Sequence, residues 1–169
     1  MNLEEHVDLG SWARFEPTLA AFLDGPARPD GVRPGTTLLL MAPASVVSGG
    51  SAPAAGLLAR LRRRRAGPVS PHPPGMALTG RADGVEIVLP VLDARGGALL
   101  GPEQVDSLRA LGWRPRADAL ARLLPDGEAA AAAAVRVLIE VLRVAHPADL
   151  DHRALCQRSE ERRVGKECR

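Results

Sequence analysis

Residues Met76 to Leu92 read MALTGRADGVEIVLPVL, and the spacing of their apolar positions decides the fold class. Val85, Ile87, Leu89 and Val91 fall on one face of an extended segment, with Glu86, Val88, Pro90 and Leu92 on the other, the period-2 pattern of a strand. Met76 to Arg81 is a second strand candidate, and the Asp83-Gly84 dipeptide between them favours the positive φ angles of a tight hairpin. Pro90 has no N–H for a ladder bond, which predicts that Val85 to Leu92 is an edge strand or carries a bulge. An apolar edge with only Glu86 to deter another strand invites pairing with a second chain. Val85, Ile87, Val88, Leu89 and Val91 are therefore the candidate partner-binding residues, for an extended peptide or for a homodimer seam.

Downstream, Asp93 to Gly97 is a turn, and Gly101-Pro102-Glu103 opens a helix whose Val105, Leu108 and Leu111 face the core, closed by Gly112 as a left-handed cap. Trp113 then covers Leu108 and Leu111. Trp113 to Pro125 is either a strand or a short irregular crossing. Asp126 caps a long helix from about Glu128 to Val144, with Ala131, Ala134, Val135, Leu138, Val141, Leu142 and Ala145 in its apolar stripe, and His146-Pro147 stops it. Upstream, Trp12, Phe15, Leu19, Phe22 and Leu23 recur at helical spacing. Pro17 would cost about 3 kcal/mol inside a helix, so the helix either starts near Glu16 or kinks. After a Pro/Gly-rich linker, Thr36 to Ala42 (TTLLLMA) reads as a buried strand. Residues 43–74 form a Pro/Ala/Arg-rich insertion whose centre, Ala54 to Arg65, is a helix candidate. The order of elements is that of an α+β fold, an antiparallel sheet packed against helices, in a single domain over residues 1–157.

Residues 158–169 (RSEERRVGKECR) resemble translated sequencing adapter and are set aside as a non-native tail, which places the natural C-terminus elsewhere. The tail holds five of the 22 basic and three of the 20 acidic residues, leaving 17 of each. The alkaline balance that would suggest nucleic acid or an anionic membrane is thereby removed. Cys156 is the one remaining thiol, so no disulfide closes within the domain. With no Tyr, two Phe and two Trp, aliphatic side chains must build the core. The acidic start, MNLEEHVD, has no basic and apolar regions of a secretory signal, and the apolar run Ala129 to Leu142 is too short to span a bilayer. A cytoplasmic protein with no membrane partner is expected.

Two stretches, LLGPEQVDSLRALGWRP at Leu99 to Pro115 and AAVRVLIEVLRVAHPADL at Ala133 to Leu150, together with the helix bearing Trp12, resemble the actinobacterial TY-Chap family, the YbjN and type III secretion chaperone-like domains. Leu111-Gly112-Trp113 is the sharpest point of a resemblance that covers most of Gly10 to Leu150. It implies an antiparallel sheet backed by helices, and binding of a peptide or protein without chemistry. The chain departs from the family in its long connection between Thr36 and Met76 and in the absence of an aromatic-led strand at Met76 to Arg81.

The residues offer little to an enzyme. Ser48, Ser51 and Ser70 lie in Gly/Pro-rich stretches without a G-x-S-x-G elbow, and no nucleotide-binding glycine motif occurs. His146, Asp149, Asp151 and His152 have the ligand types for Zn²⁺ or Mn²⁺, but a histidine at a helix C-terminus is favourable through the macrodipole alone. The basic cluster Arg60 with Arg62 to Arg65 could neutralise phosphates, yet no aromatic lies nearby to stack a base. No catalytic, cofactor or metal site is assigned. The leading expectation is a peptide- or protein-binding module. The alternatives are a nucleic-acid-associated accessory protein using Arg60 to Arg65 and a structural domain without ligand.

Overall fold

Burial alternates along the central strands as the hydrophobic pattern requires. In the computed structural model, which describes residues 3–25, 36–43 and 68–156, Met76 and Leu78 of β2 (Gly75–Arg81) and Val85, Ile87 and Leu89 of β3 (Gly84–Pro90) are all buried. Their neighbours Ala77, Thr79, Glu86 and Val88 turn to the opposite face and stay half-exposed. With β1 (Thr36–Met41), β4 (Arg114–Arg116), β5 (Ala119–Leu124) and β6 (Asp151–Cys156) they form a six-stranded sheet of order β4-β5-β3-β2-β1-β6, every pairing antiparallel. Three helices complete an α+β fold: α1 (Trp12–Leu23), α2 (Pro102–Ala110) and α3 (Gly127–Arg136), the last continuing into a π turn at Val137–Val141.

The β2–β3 hairpin forms where the sequence places it, with a different turn. Arg81 pairs with Gly84, so the two loop residues are Ala82 and Asp83. Gly84 is needed for another reason: its φ is 138°, and a Cβ there would collide with the Leu124 carbonyl oxygen of the next strand. The edge placement of Val85 to Leu92 is overturned. β3 is paired on both sides, with β2 and with β5. Pro90 is tolerated because it is the last residue of the strand, opposite Ala119, where the ladder ends.

The helices lie over the face carrying Leu38, Leu40, Leu78, Ile87, Leu89 and Leu120, all essentially inaccessible. α3 packs on β3 and β5, and α1 crosses α3. Gly127 permits that crossing, since a Cβ at this position would lie 2.7 Å from the Ala20 carbonyl oxygen of α1. Two carboxylates serve the N-terminus of α3: Asp126 accepts from the Ala129 N–H at 2.8 Å, as expected of its cap, and Asp24 at the end of α1 accepts from the Gly127 N–H. Negative charge there also complements the helix dipole.

α1 does not start near Glu16. It runs from Trp12 through the proline, held at its start by a tertiary contact, the Trp12 indole donating to the Ala145 carbonyl at 3.2 Å, and by the edge-on packing of its ring on Phe15 one turn along. The Thr18 hydroxyl, which donates to the Arg14 carbonyl at 2.8 Å, accepts from the Asp8 N–H at 3.0 Å and ties the preceding segment to the helix.

The far end of the α3 helix also differs from the sequence reading. It ends at Val141, short of Val144, through a π turn in which the Leu142 N–H reaches the Val137 carbonyl, and Arg143 adopts φ 57°. This is the left-handed closing position that glycine ordinarily fills. The segment Trp113 to Pro125 resolves into the β4–β5 hairpin, turning at Ala117 with φ 49°. Cys156, the one thiol outside the tail, ends strand β6 opposite Thr36. The insertion helix Ala54 to Arg65, most of the insertion itself and residues 158–169 fall outside the described residues.

Trp113 is 3% exposed and follows Gly112, whose φ of 88° turns the chain back so that the Trp113 N–H reaches the Leu108 carbonyl at 3.1 Å. Trp113→Ala is expected to cost about 3–5 kcal/mol, measured by denaturant unfolding. Arg143→Gly is expected to raise stability by about 1 kcal/mol, by removing the left-handed strain of a side-chain-bearing residue. The same unfolding curves check it.

Candidate functional site

The alternation that fills the core fixes what the other face of the sheet presents. Across the strands, Leu39 stands opposite Ala77, Ala77 opposite Val88, Val88 opposite Ala121, and Ala121 opposite Arg114. This is a row of small and aliphatic side chains, all half-exposed until Arg114 closes it in solvent. The adjacent row contains Thr37, Thr79, Glu86 and Leu123, and Leu123 is 52% exposed although apolar. The threonine hydroxyls hydrogen-bond each other at 3.0 Å. Among the described residues no helix lies on this face.

Charge lies at both margins of it: Arg153 and Asp151 of β6 stand opposite Leu39 and Met41 on one side, and a cluster about Glu86 occupies the other. Glu86, only 16% exposed, holds one carboxylate oxygen to Arg81 and the other to Arg116. Arg81 is its sequence-local partner on the neighbouring strand. Arg116 comes from β4, on the far side of β5. The hydrogen bond from Arg81, reinforced by the charges of both arginines, holds the Glu86 carboxyl below its ordinary value of 4.5 against the opposing effect of desolvation. Arg114, on the same face of β4, has no carboxylate partner among the described residues. Arg122, one residue along β5 from Ala121, points to the core side instead and donates to the Leu111 carbonyl at 3.0 Å, closing the end of α2.

The five residues of the sequence-predicted binding strand are divided by this geometry. Val85, Ile87 and Leu89 are buried against the helices, Val91 is half-buried against the core, and Val88 lies on the free face. The outermost strands are β4 and β6. β4 is three residues long with Pro115 at its centre and an arginine on either side, a well-blunted edge. β6 is six residues long, with Leu155 51% exposed on the free face. Neither strand is announced by the sequence as strongly as β3. Arg-Pro-Arg has low strand propensity, and the signal that could have revealed β4 is the alternation of Arg114 and Arg116 about a proline, two residues before a turn.

Among the described residues the remaining candidates form no metal-ligating cluster. His146 accepts from the Ala148 N–H through Nδ1 at 3.2 Å, leaving Nε2 to donate to the Gly10 carbonyl at 3.2 Å. It therefore clasps the start of α1 to the turn after α3. His152 lies on the core side of β6 with its Nδ1 buried and unbonded among the described residues. No group of three or more metal-ligating side chains occurs among those residues. Ser70, buried at 1%, accepts from the backbone N–H of His72 at 3.1 Å. Asp93 lies beside it, and hydrogen bonds from Ser70 and from the Gly97 and Arg95 N–H groups hold its carboxyl low. The cluster staples the turn at Asp93 to Gly97, and the charge of nearby His72 is the least of the effects that lower the Asp93 carboxyl. Ser48, Ser51 and the Arg60 to Arg65 cluster are outside the described residues.

An antiparallel sheet with one helix-covered face and one half-apolar face accords with the family that matches residues 7–156, described as T3SS (YopN, CesT) and YbjN peptide-binding chaperone 3, TY-Chap3. The chain belongs to that family. The match runs from Val7 to the end of β6. No curated protein and no solved structure matches the chain. TY-Chap3 membership bears out the chaperone-like resemblance carried by Leu111-Gly112-Trp113. Among the described residues no helix is long and apolar enough to cross a membrane.

The Glu86 pair gives this TY-Chap3 chain a measurable acid dependence. Its carboxyl is lowered in the folded state relative to 4.5. Its contribution is therefore present above that value and is lost as the pH falls through the folded-state pKa. Glu86→Gln is expected to flatten the decline in stability below pH 4.5, read from unfolding curves of both proteins across the acid range. An unchanged slope would show that the pair contributes no linkage.

Proposed function

We propose that this chain is a non-enzymatic, cytoplasmic peptide- or protein-binding module that holds an extended segment of its partner against the free face of the sheet. The observation that supports it most directly is the row Leu39, Ala77, Val88 and Ala121, half-exposed apolar residues in register on four adjacent strands. Small side chains in such a row leave a shallow track in which the alternate side chains of an extended peptide can seat. β6 at the sheet's margin, longer than β4 and without proline, offers main-chain hydrogen bonds to a different stretch of the partner, one running along the strand. Family membership supports binding of a peptide in preference to a small molecule.

Depressions elsewhere support this reading less well. One of about 500 Å³ lies between α2 and the π turn, lined by Ser107, Ala110, Leu111, Glu140, Val141 and Arg143. Glu140 there is already engaged by Arg136 at 3.0 Å, and no cluster of polar groups converges on it as a small-molecule site requires.

The reading is tested with an array of short peptides probed by the purified protein, followed by anisotropy titration of the strongest binder. Leu39→Glu is expected to weaken binding by about tenfold or more, because a charge is set into the apolar contact. Ile139→Glu, a change at an exposed position of the π turn, should leave it intact, with both variants retaining the parental melting temperature. Failure of every peptide to bind, or sensitivity to Ile139 alone, would refute it.

A further inference from the structure

The arginines at the β4 end of the free face are arranged as though one carboxylate were missing. Glu86 is shared by Arg81 and Arg116, while Arg114 has no acidic partner; Asp151 lies on the same face at the far margin on β6, Asp83 and Asp118 sit in the hairpin turns at either end, and none of these three appears in an ion pair among the described residues. Glu86 engages two guanidiniums simultaneously, which leaves Arg114 unmatched. Register shows what the Arg116 bond entails. Arg116 pairs with Ala119, which pairs with Pro90, four residues along β3 from Glu86. To reach that carboxylate, the arginine side chain must pass over the row that Val88 and Ala121 occupy. The bond thus lays a hydrophilic strap across the apolar track.

We infer that the partner segment is acidic as well as apolar, and that a partner carboxylate takes over Arg116, with Arg114 beside it, from Glu86. This specifies the partner class for the peptide-binding reading above and rests on it. The exchange replaces one charge-assisted bond by another, so it costs little, while withdrawal of the strap uncovers Val88 and Ala121 for the partner's apolar side chains. An extended chain advances ~3.3 Å per residue and strands lie ~4.8 Å apart. About six residues therefore cover the distance from β4 to β1, and an acidic side chain near one end meets Arg114 while apolar ones follow the row to Leu39. A basic segment would meet three guanidiniums and is disfavoured by like charge.

Three labelled peptides of about eight residues with identical alternating apolar positions, their other positions Asp, Gln or Lys, separate these terms in anisotropy titrations with the whole chain. The Asp peptide is expected to bind about fivefold more tightly than the Gln peptide, the Lys peptide most weakly, and the gap should close near 1 M salt, where screening acts over ~3 Å. Glu86→Gln releases both guanidiniums and should widen the Asp preference. The double variant Arg114→Ala, Arg116→Ala should abolish it while leaving the Gln peptide bound at least as well, since the strap is gone. Equal affinity for Asp and Gln peptides, or an Asp preference that survives the double variant, would overturn charge selection while the peptide-binding reading stands. So would a single-stranded oligonucleotide that outcompetes the Asp peptide through Arg114. If none of the three peptides binds, both readings fall together.

Discussion

The packing of alternate strand residues against α3 is the constraint on which everything else in this fold depends. Leu38 stands opposite Leu78 and Leu78 opposite Ile87, three side chains in one row with no measurable exposure. Because side-chain direction alternates strictly along a strand, placing these inward commits Thr37, Leu39, Ala77, Thr79, Glu86 and Val88 outward. The free face is thus a consequence of the core and cannot slip independently of it. With so few aromatic residues, the interior depends on many mutually fitted aliphatic groups, and their fully buried side chains tolerate little change in volume. Gly84 adds a local restriction of the same kind, since only the absence of a Cβ lets β3 begin so close to the Leu124 carbonyl.

Where local chemistry and tertiary structure agree, the sequence could be read directly. The hairpin flanking Asp83, the Asp126 cap and the turn from Gly112 into Trp113 each depend on a few neighbouring residues with strong conformational preferences. The sheet's margins were opaque because their stability is non-local. The β4–β5 hairpin turns at Ala117 in the left-handed region without a glycine or asparagine to mark it. β6, reading DHRALC, contains no β-branched residue and is a strand because β1 pairs with it. Pro90 misled for a physical reason: its missing N–H shows where a ladder stops, and that place is the end of a strand as readily as the edge of a sheet. The candidate site suffered most from this, since locating the edge at β3 drew attention to Val85, Ile87 and Leu89, which face inward. Only Val88 of that group has a place on the free face, and the arginines of β4 were not singled out.

Pro17 and Arg143 show tertiary packing overriding local preference. Each is unfavourable where it stands by the rules of isolated helices. Both are near the same junction, where Trp12 donates to Ala145 and His146 meets Gly10. The ends of α1 and of the α3 helix are thereby joined to each other. The strain tolerated in each helix is offset by a contact that neither could make alone.

The pairing of β1 with β6 brings an early part of the chain together with a late one, whereas β2 with β3 and β4 with β5 are neighbours in sequence. Closing so long a loop is entropically unfavourable until other contacts have formed. During synthesis the inner hairpins can assemble while the outer side of β1 still waits for its last strand. For that interval the outer backbone N–H and C=O groups of β1 present an open template to any extended chain in the vicinity. A member of a peptide-binding family can thus pass through a stage in which one of its own strands is unpaired.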